Sequence, residues 1–559
     1  WLVTETAAIA GADSFRLTAE ALPVVALQTQ FGQIVLLRCG LLLATLCILG
    51  LPRLGLVIGG VLASAALALQ PLLGHAGAVG GSLGNELIAS EMLHLLAAGA
   101  WLGGLLPLFI SVGRLPHNAA ATASRSFTPL GLAAVLVLAG TAIVQVAAFM
   151  GGLPGLFGTE YGRIALVKLA VFTLLLTLAA LNRFALTDRL DGSTSDAARR
   201  MMRLSIATEA LLGALVIITA GFLASHTPGT HEQPVWPFAW RPSLDALAEP
   251  ELQQEVLLAL AVVAGGVVVA GAGLIWRRIR WPALVLGVII AASQVPHFSL
   301  LFLPAYPTSY YTSPTEFAAT AIVHGATLFA AQCANCHGPD GLGDGAAGAT
   351  LPIRPADLTA EHLWAHSDGE MFWYLSHGYP GPDGGLSMPG FAGTLSSEAR
   401  WDLIDYLRAH NAGESMRHTG KWSHPIAMPQ FDATCTDGRT IDLDDLRGKL
   451  LLVQAVSGTV PPAAVADTAV TRILLVKGRP ATPDGPACVA TEPATWTAFA
   501  ILLGVAPDAL AGTQVLVDQN DWLRLAWHPG DASIPAATVR EVEEHPLPLD
   551  IVGGHVHRH

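Results

Sequence analysis

Eight apolar stretches, each long enough to cross a bilayer, constrain this chain more than any other feature. They lie at about 34–51, 54–73, 87–111, 127–150, 162–182, 204–224, 255–275 and 282–303. A membrane-spanning helix needs roughly 17–25 apolar residues, and these runs are too long and too uniform for strands. Inside lipid the backbone must satisfy its own hydrogen bonds, which leaves a polytopic helical bundle as the expected fold for residues 31–303. Composition agrees. Only 13% of the 559 residues are charged, against roughly 25% in soluble domains. An ordinary soluble enzyme is excluded, and so is a disordered chain.

Charge is unevenly placed. Residues 1–303 carry a net charge of +1 and residues 304–559 a net charge of −14. The second half therefore reads as water-soluble and acidic, suited to a basic redox partner or a cation and not to a nucleic acid. Arg53, then Arg114 and Arg125, then Arg183, Arg189, Arg199, Arg200 and Arg203, then Arg277, Arg278 and Arg280 fall in alternate loops. Basic loops stay in the cytoplasm. The loops 74–86, 151–161 and 225–254 are then expected outside, with everything after residue 303. The chain opens on Trp1, not Met. We expect residues 1–30 to be an extracytoplasmic segment after one or more missing helices, residues 1–9 being the end of one.

After the last span comes a linker at 304–315, then an all-α domain at 316–412, an α/β domain at 422–545 and a His-containing tail at 546–559. Cys333-Ala334-Asn335-Cys336-His337 has the CxxCH spacing. Two thiols three residues apart on one helical turn reach both haem vinyl groups, and the following His faces the iron. One covalent haem c is expected, in an extracytoplasmic compartment. His337-Gly338-Pro339-Asp340-Gly341, Met388-Pro389-Gly390-Phe391 and the closing segment Arg400–Arg408 resemble class I cytochrome c. That resemblance implies Met388 as the second axial ligand, with Met371, His377 and Met416 as rivals.

Polar side chains within apolar spans are costly and usually functional. Glu91, His94 and Trp101 are three and seven residues apart, hence on one helix face. His94 lies eight residues past Glu86, or roughly 12 Å along a helix. His75, His226, His231 and His297 fall on the same outward side, and Arg38, Gln145 and Lys168 in outer thirds of their spans. Glu209 lies nearer the inner face. Any one His has a bland reading as a packed core residue. Gathered, His75, His94, His226 and His297 form a candidate copper or haem b site, with Glu91 and Trp101 supporting. Cys39 and Cys47 read as small apolar fillers.

Gly74-His75-Ala76, Leu93-His94 through Trp101-Leu102-Gly103-Gly104-Leu105, Tyr161-Gly162-Arg163 with Lys168, Leu181-Asn182-Arg183 and Glu209–Gly213 resemble the copper resistance protein D (CopD) family. The resemblance covers about 31–240. It implies copper handling at a bacterial inner membrane, with further helices upstream. In the C-terminal domain Phe431-Asp432-Ala433, Asp437-Gly438, Leu446–Lys449, Gln514–Asp518 and Trp522–Arg524 resemble the SCO/thioredoxin-like group. The expected Cys pair is absent: Ser457-Gly458-Thr459-Val460-Pro461-Pro462 stands there. Without thiolates, disulfide exchange and a Cys-based copper site are both closed. Cys435 and Cys488 could pair in an oxidising compartment. His555, His557 and His559 are a mobile tail or a weak metal site.

Three functions stay open. The first is an inner-membrane copper-handling protein whose haem c exchanges electrons with copper or a membrane-embedded site. The second is a quinol- or haem b-linked oxidoreductase serving cytochrome c. The third is an accessory or assembly subunit of a respiratory terminal oxidase. In each case the chain is a redox protein rather than a hydrolase or transferase. Its partners are the lipid bilayer and a cytochrome c or terminal oxidase, with copper ions or quinol.

Overall fold

A computed structural model describes the whole chain except residues 1, 12–13, 52, 192–194, 245–246, 248–249, 382–383, 443, 459, 461–469, 479–486, 532–533 and 549–559, and the backbone alone at 191, 195, 277 and 444. His555, His557, His559, Thr459, Pro461 and Pro462 therefore lie outside the described residues. The chain divides into two units, Trp1–Pro234 and Val235–His559.

The first unit is all helix. Its helices are α1 (Leu2–Ala10), α2 (Phe15–Gln28), α3 (Gln30–Ile48), α4 (Leu54–Ala68), α5 (His75–Ala78), α6 (Gly81–Arg114), α7 (His117–Phe149), α8 (Gly152–Gly158), α9 (Glu160–Leu181) and α10 (Ser195–Ala224). Helices α3, α4, α6, α7, α9 and α10 are long and apolar enough to cross a membrane. Leu36, Leu43, Ile143, Leu211 and many like them face outward. In water such a surface would be an aggregation liability, and in lipid it is the normal exterior. Within residues 1–30 the described residues are mostly helical. They form two helices, the second capped by the Ser14 side chain and packed on α3. Helix α6 is also longer than the apolar stretch at 87–111. Its 34 residues extend about 51 Å. Hydropathy marks the part that meets lipid, whereas backbone hydrogen bonding carries the helix on through Asn85 and Glu86.

The bundle's two ends are built differently. At one end α8 packs against the Gly229–His231 turn, with Thr159 capping α9. At the other, Arg199 donates to the Leu115 carbonyl, His117 pairs with Asp196, and Arg125 lies 3.7 Å from Asp188. These are the two sets of loops that the arginine bias separates.

The second unit opens with strand β1 (Trp240–Pro242). Spans α11 (Pro250–Ile275) and α12 (Arg280–Ala292) follow, then the short helix α13 (Val295–Phe298) and strand β2 (Phe302–Pro304), antiparallel to β1. The haem-motif region holds α14 (Ala319–Gln332), α15 (Ala334–His337), α16 (Asp368–His377), strands β3 (Tyr379–Pro380) and β4 (Leu386–Met388), and α17 (Ser397–Thr419). Helices α14 and α17 cross where a Cβ on Gly325 would meet the Asp402 carbonyl, so only glycine allows that approach.

Beyond it lies a seven-stranded sheet in the order β11-β10-β7-β8-β9-β5-β6. The strands are β5 (Ala433–Cys435), β6 (Thr440–Ile441), β7 (Leu451–Val456), β8 (Thr471–Val476), β9 (Cys488–Ala490), β10 (Gln514–Val517) and β11 (Leu523–Trp527). Strands β7, β8 and β9 run parallel, and β10 and β11 are antiparallel additions on the β7 side. Strand β7, central between β8 and β10, is buried along its whole length, and its Gln454 is satisfied by Gln514 and Arg472. Helices α18 (Pro493–Leu502) and α19 (Ala536–Glu544) complete the domain. Cys435 and Cys488 are directly opposed on β5 and β9 and form a disulfide.

Contacts cross two of the expected boundaries. Helix α17 continues past residue 412 to Thr419, and its Ala409, Ala412 and Met416 share one core with Leu451, Val453, Phe499 and Leu502. A Cβ on Gly413 would meet the Ile501 carbonyl. The haem region and the sheet are thus packed as one body, because α17 presents one face to each. Residues 304–315, the expected linker, are packed as well. Thr308 and Ser309 are buried, the Thr308 hydroxyl donates to the Gly369 carbonyl at 2.6 Å, and Ser367 donates to the Ser309 carbonyl at 2.8 Å.

Candidate functional site

Helix α14 ends at Cys333, and the short α15 then carries Cys336 and His337. The turn that follows is fixed by backbone bonds: Gly343 N–H donates to the His337 carbonyl at 2.8 Å and Ala347 N–H to the Asn335 carbonyl at 3.0 Å. Gly338 sits at φ +81° with Asp344 against it, a place for glycine alone. His337 Nδ1 is 3.0 Å from the Ala356 carbonyl. A carbonyl can only accept, so Nδ1 carries the proton and Nε2 is left as the ligand nitrogen. Burial lowers the pKa of His337, partly opposed by that carbonyl. The neutral imidazole, the form that binds a metal, is therefore favoured. Burial likewise pushes the Cys333 thiol up to about 11.

Cys333, Ala334 and Met388 all pack against one apolar cluster that includes Phe329, Met371, Phe372 and Leu407. Of the rival ligands, Met371 is buried in that cluster, and Met416 is buried in the core shared with the sheet. His377 is stacked on Trp373 at 3.7 Å. Met388 instead ends a strand, half-buried and paired with Tyr379. Two thiols and a neutral imidazole within five residues, with the Cys333 thiol and the Met388 thioether against one apolar wall, are a donor set that fits haem c.

The bundle polar groups are arranged differently from the quartet expected. His94 Nδ1 lies 2.8 Å from Thr141 Oγ1. The Thr141 hydroxyl itself donates to the Val137 carbonyl at 2.8 Å. Thr141 must then accept from His94, which fixes the tautomer and leaves His94 Nε2 as a lone-pair nitrogen. One turn earlier, the Glu91 carboxylate lies beside Gly74, the neighbour of His75. Lys168 acts electrostatically on both Glu91 and His94, and Glu91 on Tyr161. His75 leans on Phe149 at 6.1 Å, and its Nε2 is buried with no hydrogen-bond partner.

The other two histidines have carboxylate partners of their own. His226 bonds the Phe222 carbonyl through Nδ1 at 2.7 Å and faces Glu160 at 3.9 Å. His297 belongs to the second unit, where it pairs with Glu255 at 2.7 Å. Trp101 is packed in the bundle core, edge-on to Phe172. Among the described residues no three His, Cys, Asp or Glu side chains are grouped to hold a metal ion. Within the first unit, His75, Glu91, His94, Thr141, Tyr161 and Lys168 form a polar cluster. Thr141 was not foreseen, since its hydroxyl in an apolar helix reads as satisfied by its own backbone. Glu209 is buried and accepts a hydrogen bond from Asn182, tying two resemblance motifs together.

With this geometry in hand, the similarities of the chain take on meaning. Residues 121–223 match the family described as copper resistance protein D, and residues 1–85 its N-terminal domain family. Similarity thus reaches back to the first residues, further than the motifs at 31–240. Residues 320–407 match the family described as cytochrome C oxidase, cbb3-type, subunit III. Inner membrane protein YebZ of Escherichia coli is 29% identical over 36% of this chain and 70% of its own. Copper resistance protein D of Pseudomonas syringae pv. tomato is 26% identical over 36% of this chain and 69% of its own. Copper transport protein CutJ of Bacillus subtilis is 30% identical over 25% of each. The chain carries a CopD-family membrane domain and a cytochrome c domain, and the latter implies a covalent haem c.

Proposed function

We propose that this chain is a multi-pass inner-membrane protein that handles copper and couples it to one-electron exchange at a haem c. One observation carries the reading: a single chain joins a CopD-family bundle to a CxxCH domain whose His337 is oriented by the Ala356 carbonyl. Haem c, when bound, supplies reversible one-electron exchange. Cys333 and Cys336 would hold it covalently, with His337 and Met388 as axial ligands. Copper is the cargo. Cu(II) and Cu(I) differ by the one electron that such a group could supply, and the two ions differ in ligand preference. His94 Nε2 and the unpartnered His75 Nε2 are the nitrogens of the bundle free to meet copper. Glu91 and Lys168 set the local charge. The arginine-rich loops would face the cytoplasm, placing the haem domain in the periplasm. Haem b finds no support in the matched families.

The strand order β8-β7-β10-β11 supports a thioredoxin-like reading of the sheet. Its place for a Cys pair after β7 holds Ser457 and Gly458, and its core is shared with α17. It therefore serves as a packing module and not a thiol exchanger.

Copper and haem are measured on protein purified from native membranes, for the wild type and a His75→Ala, His94→Ala variant. Copper lost at unchanged haem supports the reading, and copper retained with normal function removes the histidines from it. For the axial ligand, Met388→Ala should abolish the sulfur-to-iron charge-transfer band of the oxidised protein. A surviving band would refute Met388. A second reading, an accessory of a terminal oxidase, is favoured by the description of the family at 320–407. Intact co-purification with an oxidase tests it.

A further inference from the structure

Strands β1 and β2 form a short ribbon at the root of the second unit. Its register pairs Trp240 with Pro304, Arg241 with Leu303 and Pro242 with Phe302. Strand β1 lies shortly before α11, and β2 follows the end of the eighth span, so the ribbon sits at the end where both spans terminate. Successive strand residues point to opposite faces, and here the faces differ sharply. One face is aromatic and open: Trp240 is 49% and Phe302 44% exposed, with Phe238 and Leu244 beside them. The rings are in contact, Phe238 stacked on Trp240 at 5.5 Å and Trp240 edge-on to Phe302 at 4.9 Å.

The other face is buried and polar. Arg241 Nε donates to Glu370 Oε1 at 3.1 Å, with both side chains nearly enclosed. Glu370 lies in the first turn of α16 and also closes its capping box with Ser367. Trp236 N–H donates to the Pro307 carbonyl at 2.9 Å, and a Cβ on Gly369 would strike the Thr308 carbonyl. Helix α16 leads into β3, which pairs with the strand that ends at Met388. An unbroken set of rigid contacts thus runs from the ribbon to the Met388 side of the haem site.

We propose that the β1–β2 ribbon is a membrane-interface anchor. Phe238, Trp240 and Phe302 enter the phospholipid headgroup layer, and the Arg241–Glu370 pair holds the haem domain at a fixed height above it. The occupant is the bilayer, because β2 begins at the residue after the eighth span and β1 shortly precedes the seventh. Aromatic rings favour this depth, where an apolar ring and a polar edge are both satisfied. The consequence for function is geometric. The haem does not swing on a tether, so its electron partner must reach it at the membrane surface. The inference rests on α11 and α12 crossing the bilayer.

Nitroxide labels test it in the full-length holoprotein reconstituted in phospholipid vesicles. Cys39→Ser and Cys47→Ser remove the free thiols outside the haem motif, and a nitrogen-equilibrated sample of each variant subtracts the relaxation due to the haem iron. Labels are placed at Trp240→Cys, Leu244→Cys, Val267→Cys in α11 and Lys421→Cys on the soluble side. Power saturation compares access to oxygen with access to a water-soluble nickel chelate. The expected oxygen-to-nickel ratio at 240 is several-fold above that at 421 and below that at 267, with 244 as a second reading if Trp240→Cys folds poorly. A ratio at 240 and 244 equal to that at 421 overturns the anchor. Shielding of both from both reagents also overturns it, in favour of a protein partner. A water-like ratio at 267 refutes the membrane crossing instead, which separates the two failures. Haem quenching of a headgroup-labelled lipid should weaken in Arg241→Ala, and equal quenching would refute the clamp.

Discussion

Removing Arg408 should open the haem domain, and the structure sets the size of the effect. Arg408 is fully buried in α17. Its guanidinium donates to Asp368 Oδ1 at 3.0 and 2.9 Å, to the Leu363 carbonyl at 2.9 Å and to the His366 carbonyl at 2.6 Å. It also stacks over Trp364 at 4.8 Å. These bonds fix the segment 363–368 that launches α16, and through it the strand pair that presents Met388. Arg408→Ala strands one carboxylate and two carbonyls. Breaking a buried ion pair by removing one partner costs about 3–5 kcal/mol. At about 1.4 kcal/mol per decade, the opening equilibrium should rise by roughly two to four powers of ten. The assay follows the sulfur-to-iron charge-transfer band of the oxidised protein against denaturant. Arg408→Lys should recover little, because one ammonium cannot reproduce a planar fork. A loss under about 1 kcal/mol for Arg408→Ala would show that α16 is held by other contacts, and would refute the reasoning.

Other predictions follow from single features. Asp405 is fully buried beside Thr315, and burial raises its carboxyl well above the ordinary value. The unfolded chain releases that proton first, so its stability contribution is full below the ordinary carboxylate pKa and lost as pH rises. Asp405→Asn should flatten the fall in unfolding midpoint between acid and neutral pH, and an unchanged profile would count against a raised pKa. Burial would raise Glu370 as well, but His366 and Arg241 outweigh it and hold it below the ordinary value. Its contribution is present above the ordinary carboxylate pKa and lost as pH falls through the folded value. In Glu370→Gln the acid limb of that profile should therefore be shallower. Gly413→Ala should push α17 from α18 and cost about 1–3 kcal/mol by calorimetry, with no cost meaning a looser contact. The Cys435–Cys488 disulfide closes a separation of 53 residues. Removing both cysteines should cost about 4 kcal/mol in the α/β domain, measured by denaturant unfolding.

Much of the molecule is legible in one dimension because its strongest forces are local in sequence. Apolar length alone gives the eight spans, since lipid leaves the backbone no alternative to a helix. The CxxCH motif is equally self-contained, as its chemistry lies within five consecutive residues. The polar cluster was only half visible. Spacing puts Glu91, His94 and Trp101 on one face of α6, but nothing in α7 marks Thr141 as the partner of His94. Depth along a span is likewise a poor guide to partners: His297, on the expected outer side, pairs with Glu255 of α11. Tertiary structure alone decided how the second unit is joined. An Arg in β1 and a Glu in α16, 129 residues apart, meet in one buried pair. Helix α17 looks in sequence like the end of a small haem domain, yet it turns a second face to the sheet and merges the two cores. Periodicity fixes which faces a helix can bury. Only the packed chain settles which partners they meet, because distant segments must fill the same space without voids or stranded charges.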